Sequence, residues 1–148
     1  MRITYKGDYA LKAVLDLALH YNQGVVTIHE LAKRIDVPLK FLEQVLLDLK
    51  RAGFVESKRG IKGGYLLARS PREIKLGDVI RFIDGPIEPI DCASLNNNYK
   101  GCADIYKCVF RNVWLAVTRA VSNIVDTTNF EDMVREINKN KGTFDYHI

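Results

Sequence analysis

The chain has 148 residues, 47% of them apolar and 27% charged, a composition that suits one compact domain or a small domain with an appended oligomerisation element. No apolar run approaches the roughly 20 residues of a membrane span, and Met1-Arg2-Ile3-Thr4 lacks the apolar core and cleavage site of a secretory signal, so the expectation is a cytoplasmic protein without membrane contact. The net charge is +4, yet residues 1–84 hold 15 Lys/Arg against 10 Asp/Glu while residues 85–148 hold 7 against 8, which places the positive excess in the half that would meet a polyanion.

From Asp8 to Tyr21 apolar residues recur at helical spacing through Ala10, Leu11, Val14, Leu15, Ala18 and Leu19. Asp8 is the expected N-cap and Asn22-Gln23-Gly24 the stop. Thr27-Ile28-His29-Glu30 has the spacing of a capping box, and it opens a second helix through Leu31, Ala32 and Ile35. After the short break Asp36-Val37-Pro38, Pro38 is expected in the first turn of a third helix, which continues through Phe41, Leu42, Val45, Leu46 and Leu49 to Gly53. Phe54–Ser57 and Tyr65–Ala68 alternate as strands should, around the basic, glycine-rich tip Lys58-Arg59-Gly60-Ile61-Lys62-Gly63-Gly64. A fourth helix is expected from about Leu76 to Ile83, ending at Asp84-Gly85-Pro86, and an irregular stretch follows over 86–101. A long helix then runs from about Ile105 to Val125. Thr128-x-x-Glu131 is placed to cap a short final helix to about Asn138, before an irregular tail after Gly142.

Helix, short turn, helix and two-stranded hairpin is the order of a winged helix-turn-helix. The fold class is thus mainly α with a small β-hairpin wing and a long C-terminal helix. The third helix suits the major groove, and its outward positions include Lys40, Glu43, Gln44, Asp48 and Arg51. Gln44 can pair with adenine, Glu43 can accept from a cytosine amine, and Lys40 can meet a phosphate or a base. Lys58, Arg59, Gly60 and Lys62 form a wing tip able to approach the backbone or place Arg59 in a narrow minor groove. A solvated helix face and a plain turn explain each feature singly; their order points to double-stranded DNA.

Phe110, Val113, Val117, Ala120 and Ile124 alternate steps of 3 and 4, the spacing of a helix–helix seam. Trp114, Val121 and Val125 widen that stripe. A core helix of a monomer would show the same pattern, but little chain remains to cover it, and a homodimer suits two-fold DNA half-sites.

All three cysteines, Cys92, Cys102 and Cys108, fall within 17 residues. An odd number without an export signal favours ligands or reactive thiols over a disulfide framework. Thiolates select zinc, copper(I) or iron–sulfur clusters, and no C-x2-C pair of the zinc type is present. Buried small hydrophobes or a redox pair are the plainer alternatives. His20, His29 and His147 lie far from the cysteines in sequence, and there is neither a phosphate-binding glycine loop nor a paired-carboxylate pocket, so the chain does not read as an enzyme.

Met1–Ala10, Leu42-Glu43-Gln44, Gly53-Phe54-Val55, Arg59-Gly60-Ile61-Lys62-Gly63-Gly64-Tyr65 and Gly77-Asp78-Val79-Ile80 resemble one winged-helix regulator family. Its members include the iron–sulfur regulator IscR, the nitric-oxide sensor NsrR and the cysteine-metabolism repressor CymR. The resemblance implies base reading by Glu43 and Gln44, a wing served by Arg59 and Gly60, a long helix crossing its partner, and an iron–sulfur cluster, 2Fe-2S or 4Fe-4S, on the three cysteines. Pro38 and Lys40 stand where relatives often carry serine, and the first cysteine gap is lengthened around Asn96-Asn97-Asn98. IscR-like proteins take a fourth ligand from a histidine three residues past the third cysteine, where this chain has Arg111. NsrR-like proteins use an aspartate of the other subunit at the position of Asp8, which makes Asp8 the leading fourth ligand unless it is only a helix cap. Asp91, Asp104 and His147 are the remaining possibilities. The resulting division is a DNA-binding domain over 1–84, a cluster loop over 85–108, and a dimerisation helix and tail over 109–148. The function expected is a transcriptional regulator whose operator binding follows a cluster sensing redox state, iron or nitric oxide. The rival is a cluster-free repressor of sulfur metabolism under a partner protein, because Asp84–Ile90 resembles the CymR branch.

Overall fold

The computed structural model describes residues 1–96, 99–102 and 104–141. His147, the tail past Gly142 and the Asn97-Asn98 part of the insertion lie outside them.

Six helices and one antiparallel hairpin make up the described chain: α1 Tyr5–Leu19, α2 Ile28–Ile35, α3 Leu39–Arg51, β1 Val55–Lys58, β2 Gly64–Leu67, α4 Leu76–Asp84, α5 Val109–Thr127 and α6 Phe130–Asn140. Helix α1 begins earlier than expected, because Thr4 and not Asp8 is its cap: the Thr4 hydroxyl accepts from the Gly7 amide at 3.0 Å. Thr4 is itself bound by the Asp84 carboxylate, so a contact 80 residues away selects the start of the helix. Asp8 instead sits in the first turn, where an acidic side chain favours the helix dipole. The Thr27–Glu30 capping box opens α2 as expected. Pro38 stands one residue before α3, as its N-cap. Helix α6 is capped by Asn129 and Asp132, not by Thr128 and Glu131.

The core lies where the buried stripes of α1, α2 and α3 meet. Ala10, Val14, Leu17, Leu31, Leu42, Leu46 and Leu49 are fully or almost fully enclosed. Helix α6 belongs to this core as well: Phe130 is completely buried within it, with Met133 and Val134 packed alongside. A bidentate pair from Arg34 Nε and Nη2 to the buried Asp16 carboxylate, at 2.9 and 2.7 Å, fixes α2 to α1. A smaller cluster of Ile80, Ile87 and Val125 seats α5 on α4. Arg81 reinforces it by gripping Asp126 at 2.6 and 3.0 Å.

The hairpin pairs Val55 with Leu67 and Lys58 with Gly64. It gains a third partner that periodicity did not foretell: Val26 and Tyr65 exchange both backbone hydrogen bonds at 2.8 Å. A Cβ on Gly64 would stand 2.5 Å from the Val26 carbonyl oxygen, so only glycine allows the wing to lie against the turn between α1 and α2.

Candidate nucleic-acid interface and cysteine loop

Helix α3 turns Leu42, Val45, Leu46 and Leu49 inward, and its outer stripe carries Lys40, Glu43, Gln44 and Arg51, all exposed. The turn before it is tight because Asp36 takes a left-handed backbone (φ 53°) while the amides of Asp36 and Val37 close on Ala32. Lys50 Nζ donates to Ser57 Oγ at 2.7 Å, tying the end of α3 to β1 and fixing the wing beside the outer helix face. At the tip Gly60 adopts φ +108°, and its carbonyl accepts from the Gly63 amide at 3.0 Å. This close turn leaves Lys58, Arg59, Ile61 and Lys62 exposed. Lys40, Glu43, Gln44, Arg51, Lys58, Arg59, Gly60 and Lys62 therefore all lie on solvent-facing surface of α3 or the wing. Ile61, an apolar residue at the tip, is fully exposed beside them.

Asp48 departs from expectation. Its side chain retains 14% of its exposure and faces α1, where Lys6 Nζ pairs with Oδ2 at 2.5 Å. Gln44 Nε2 donates to Oδ1 at 3.4 Å, and Arg51 lies 3.5 Å from the same oxygen. Lys6 above all, with Gln44 and Arg51 adding, holds the Asp48 carboxyl below its ordinary range, against the opposing effect of burial.

Helix α5 has two unlike faces. Arg111, Thr118, Ser122 and Val125 pack inward, so Val125 belongs to the chain's own core and does not widen the seam. Val121 is half-buried beside that core. Phe110 (67% exposed), Val113 (55%), Val117 and Ile124 (65%) lie uncovered on the opposite side, with Ala120 between them. A row of large apolar side chains left in water is the mark of a surface built to be covered.

The cysteines carry free thiols. Cys92 lies in a short 3₁₀ turn, Asp91–Ala93, whose Ala93 is buried. Cys108 is the N-cap of α5, which begins at Val109 and not at Ile105. Arg111 Nε donates to the Cys92 carbonyl at 3.0 Å and its guanidinium lies over the Tyr106 ring. The residue that replaces a histidine thus braces the loop. The Tyr99 phenol is raised above its usual range, first by its hydrogen bond with Cys102 and then by the charge of Cys102, with Cys92 and Asp91 contributing. Among the described residues no three His, Cys, Asp or Glu side chains converge as a metal-binding group. Asp8 pairs with Lys12 at 2.7 Å and borders a groove of about 540 Å³ with Arg2, Ile3, Thr4 and Tyr5. By donor type the three thiols are of the iron–sulfur kind; Cys92 is half-buried, Cys102 and Cys108 are exposed, and the three are spread along the loop rather than gathered. Among the described residues no helix is long and apolar enough to cross a membrane.

Residues 3–136 match the model of a family described as Rrf2, iron-dependent transcriptional regulator. An rrf2-like HTH-type transcriptional regulator of Rhodobacter capsulatus is 41% identical over 138 residues, covering 89% of this chain and 91% of that one. Among solved structures, CymR, the global cysteine regulator of Bacillus subtilis, superimposes with a TM-score of 0.76 at 30% identity, over 92% of this chain and 98% of that one. T. potens IscR gives 0.73 at 31% identity, over 99% and 93%.

Proposed function

Starting from a chain that belongs to the Rrf2 family of winged-helix transcriptional regulators, we propose a homodimeric, cytoplasmic DNA-binding repressor whose operator affinity is set by an iron–sulfur cluster on Cys92, Cys102 and Cys108. The observation that carries the DNA-binding half is the shared placement of Lys40, Glu43, Gln44 and Arg51 on the outer stripe of α3, with the basic wing pinned beside it through Lys50 and Ser57. Lys58, Arg59 and Lys62 neutralise phosphates and set position, while Glu43 and Gln44 reach base edges. Covering the Phe110–Ile124 face with the same face of a second copy brings two recognition helices to one operator.

Three free thiols between α4 and α5 support the cluster half. Cys92 and Cys108 would hold it from the two anchored ends of the loop and Cys102 from the middle, with Asp8 of the partner subunit as the oxygen ligand. An iron–sulfur centre supplies redox-dependent and labile metal–thiolate chemistry when bound. The chain's own part is to link the loop to α5: Arg111 joins the Cys92 carbonyl to a helix whose opposite face forms the seam. A change in the loop then biases the arrangement of the two protomers, provided the ligand prefers one arrangement.

The test is the visible spectrum of protein purified without oxygen, with iron and sulfide counted on the same sample, beside salt-dependent binding to duplex DNA. Colour that disappears on replacing any of the three cysteines supports the cluster. A colourless protein that cannot be reconstituted favours the second reading, a cluster-free repressor under a partner protein. That reading draws on the lack of a convergent ligand group among the described residues and on a match to Bacillus subtilis CymR at 30% identity over the full length of both chains.

A further inference from the structure

Asp48 is the least expected member of the interface: an acidic side chain on the recognition helix of a protein meant for a polyanion. It does not face outward as a bare charge. Lys6 of α1 neutralises it at 2.5 Å, and Arg51 lies 3.5 Å away. The Asp48 side chain is itself mostly enclosed, which limits the water that would screen these charges; beside it lies an apolar groove of about 350 Å³ lined by Tyr5, Lys6, Tyr9, Phe41, Gln44 and Val45.

The remaining contact has a chemical direction. A carboxylate only accepts hydrogen bonds, so the edge of the Gln44 amide turned toward Asp48 Oδ1 is its NH2 group, 3.4 Å away. The alternative, with Gln44 Oε1 turned inward, would set two acceptor oxygens against each other. Amide orientation is ordinarily free to flip; here a fixed charge selects one of the two orientations.

From this we infer that Asp48, held by Lys6, is a positioning residue that makes Gln44 a reader of adenine and a poor reader of guanine. Adenine presents N7 as an acceptor and N6–H₂ as a donor, and a glutamine amide meets both with one N–H and its oxygen. Guanine presents two acceptors, N7 and O6, and needs two donors. With one Nε2–H committed to Asp48, Gln44 retains one donor and one acceptor, the set that matches adenine. The inference rests on the DNA-binding reading above.

The experiment is selection of duplexes from a random-sequence library by full-length wild type, Gln44→Ala, Asp48→Asn and Lys6→Met, with thermal midpoints recorded. Wild type should show one base pair where adenine exceeds guanine by about tenfold, the scale of one bidentate contact, and Q44A should lose that preference. In D48N the neutral amide can present either edge to Gln44, so the same preference should fall below about threefold while the other positions stay unchanged. K6M should relax the same position and no other. Unaltered adenine preference in D48N, or an equal loss at every position, overturns the inference. A wild type that retains no duplex overturns the DNA-binding reading instead. The amide spectrum of the free wild-type protein tests the contact without any variant that must fold: one Gln44 Nε2 proton shifted downfield, so that the splitting of the pair exceeds that of free glutamine, supports it, and the free-glutamine pair of shifts overturns it.

Discussion

Replacing Val113 by Glu should separate the proposed dimer, and the structure sets the size of the effect. Val113 is 55% exposed in the single chain, so covering the seam removes about half of its apolar surface from water, worth about 1 kcal/mol per protomer. A carboxylate there forfeits that gain and carries a desolvation cost of several kcal/mol if the seam still closes. Because a two-fold interface repeats every contact, each penalty applies twice. The dimer should weaken by at least about 4 kcal/mol, or about a thousandfold in dissociation constant. Val113 does not belong to the buried core, so the fold should persist. Sedimentation velocity at low micromolar concentration, beside circular dichroism, reads both outcomes, with Val113→Leu as the apolar control. If V113E and V113L sediment as the same dimer, the seam is not the Phe110–Ile124 face and the reasoning fails. Weaker binding of a two-half-site duplex should accompany the monomer.

Arg59→Ala should weaken binding to all duplexes alike and reduce the slope of log affinity against log salt by about 1, as expected when one phosphate is no longer neutralised; an effect confined to a single base position would assign Arg59 to base reading instead. Cys102→Ser should purify with much less iron and sulfide than wild type and share the thermal midpoint of iron-free wild type, since this cysteine is exposed. Asp16→Ala removes the buried half of the α1–α2 pair and should cost about 2 kcal/mol in urea unfolding, a value discounted because the guanidinium stays partly in water. The folded Asp48 carboxyl titrates below its ordinary value, so its contribution is present above the unfolded aspartate range and is lost as pH falls through the folded value. The stability gap between wild type and D48N should therefore narrow on acidification from neutral pH, as followed by urea midpoints.

Much of this molecule follows from spacing along the chain. Apolar residues at intervals of 3 and 4 define α2, α3 and the seam of α5, because a helix places such residues on one face whatever surrounds it. The Thr27 capping box and the glycine-rich wing are equally local, since each satisfies its own backbone within a few residues. The thiol loop was visible as composition, although which of its side chains gather depends on more than their order.

Contacts between distant segments decided the rest. Thr4 caps α1 in place of Asp8 because Asp84, 80 residues on, binds it. Val26 joins the wing because Gly64 lets two backbones approach. Val125 fills the core and leaves the seam because Ile80 and Ile87 meet it there. Asp48 is the clearest instance. It follows Val45 by three residues and so borders the buried stripe, where periodicity assigns neither face. Only the arrival of Lys6 from α1 turns it inward and converts an apparent acidic contact for DNA into a brace for Gln44.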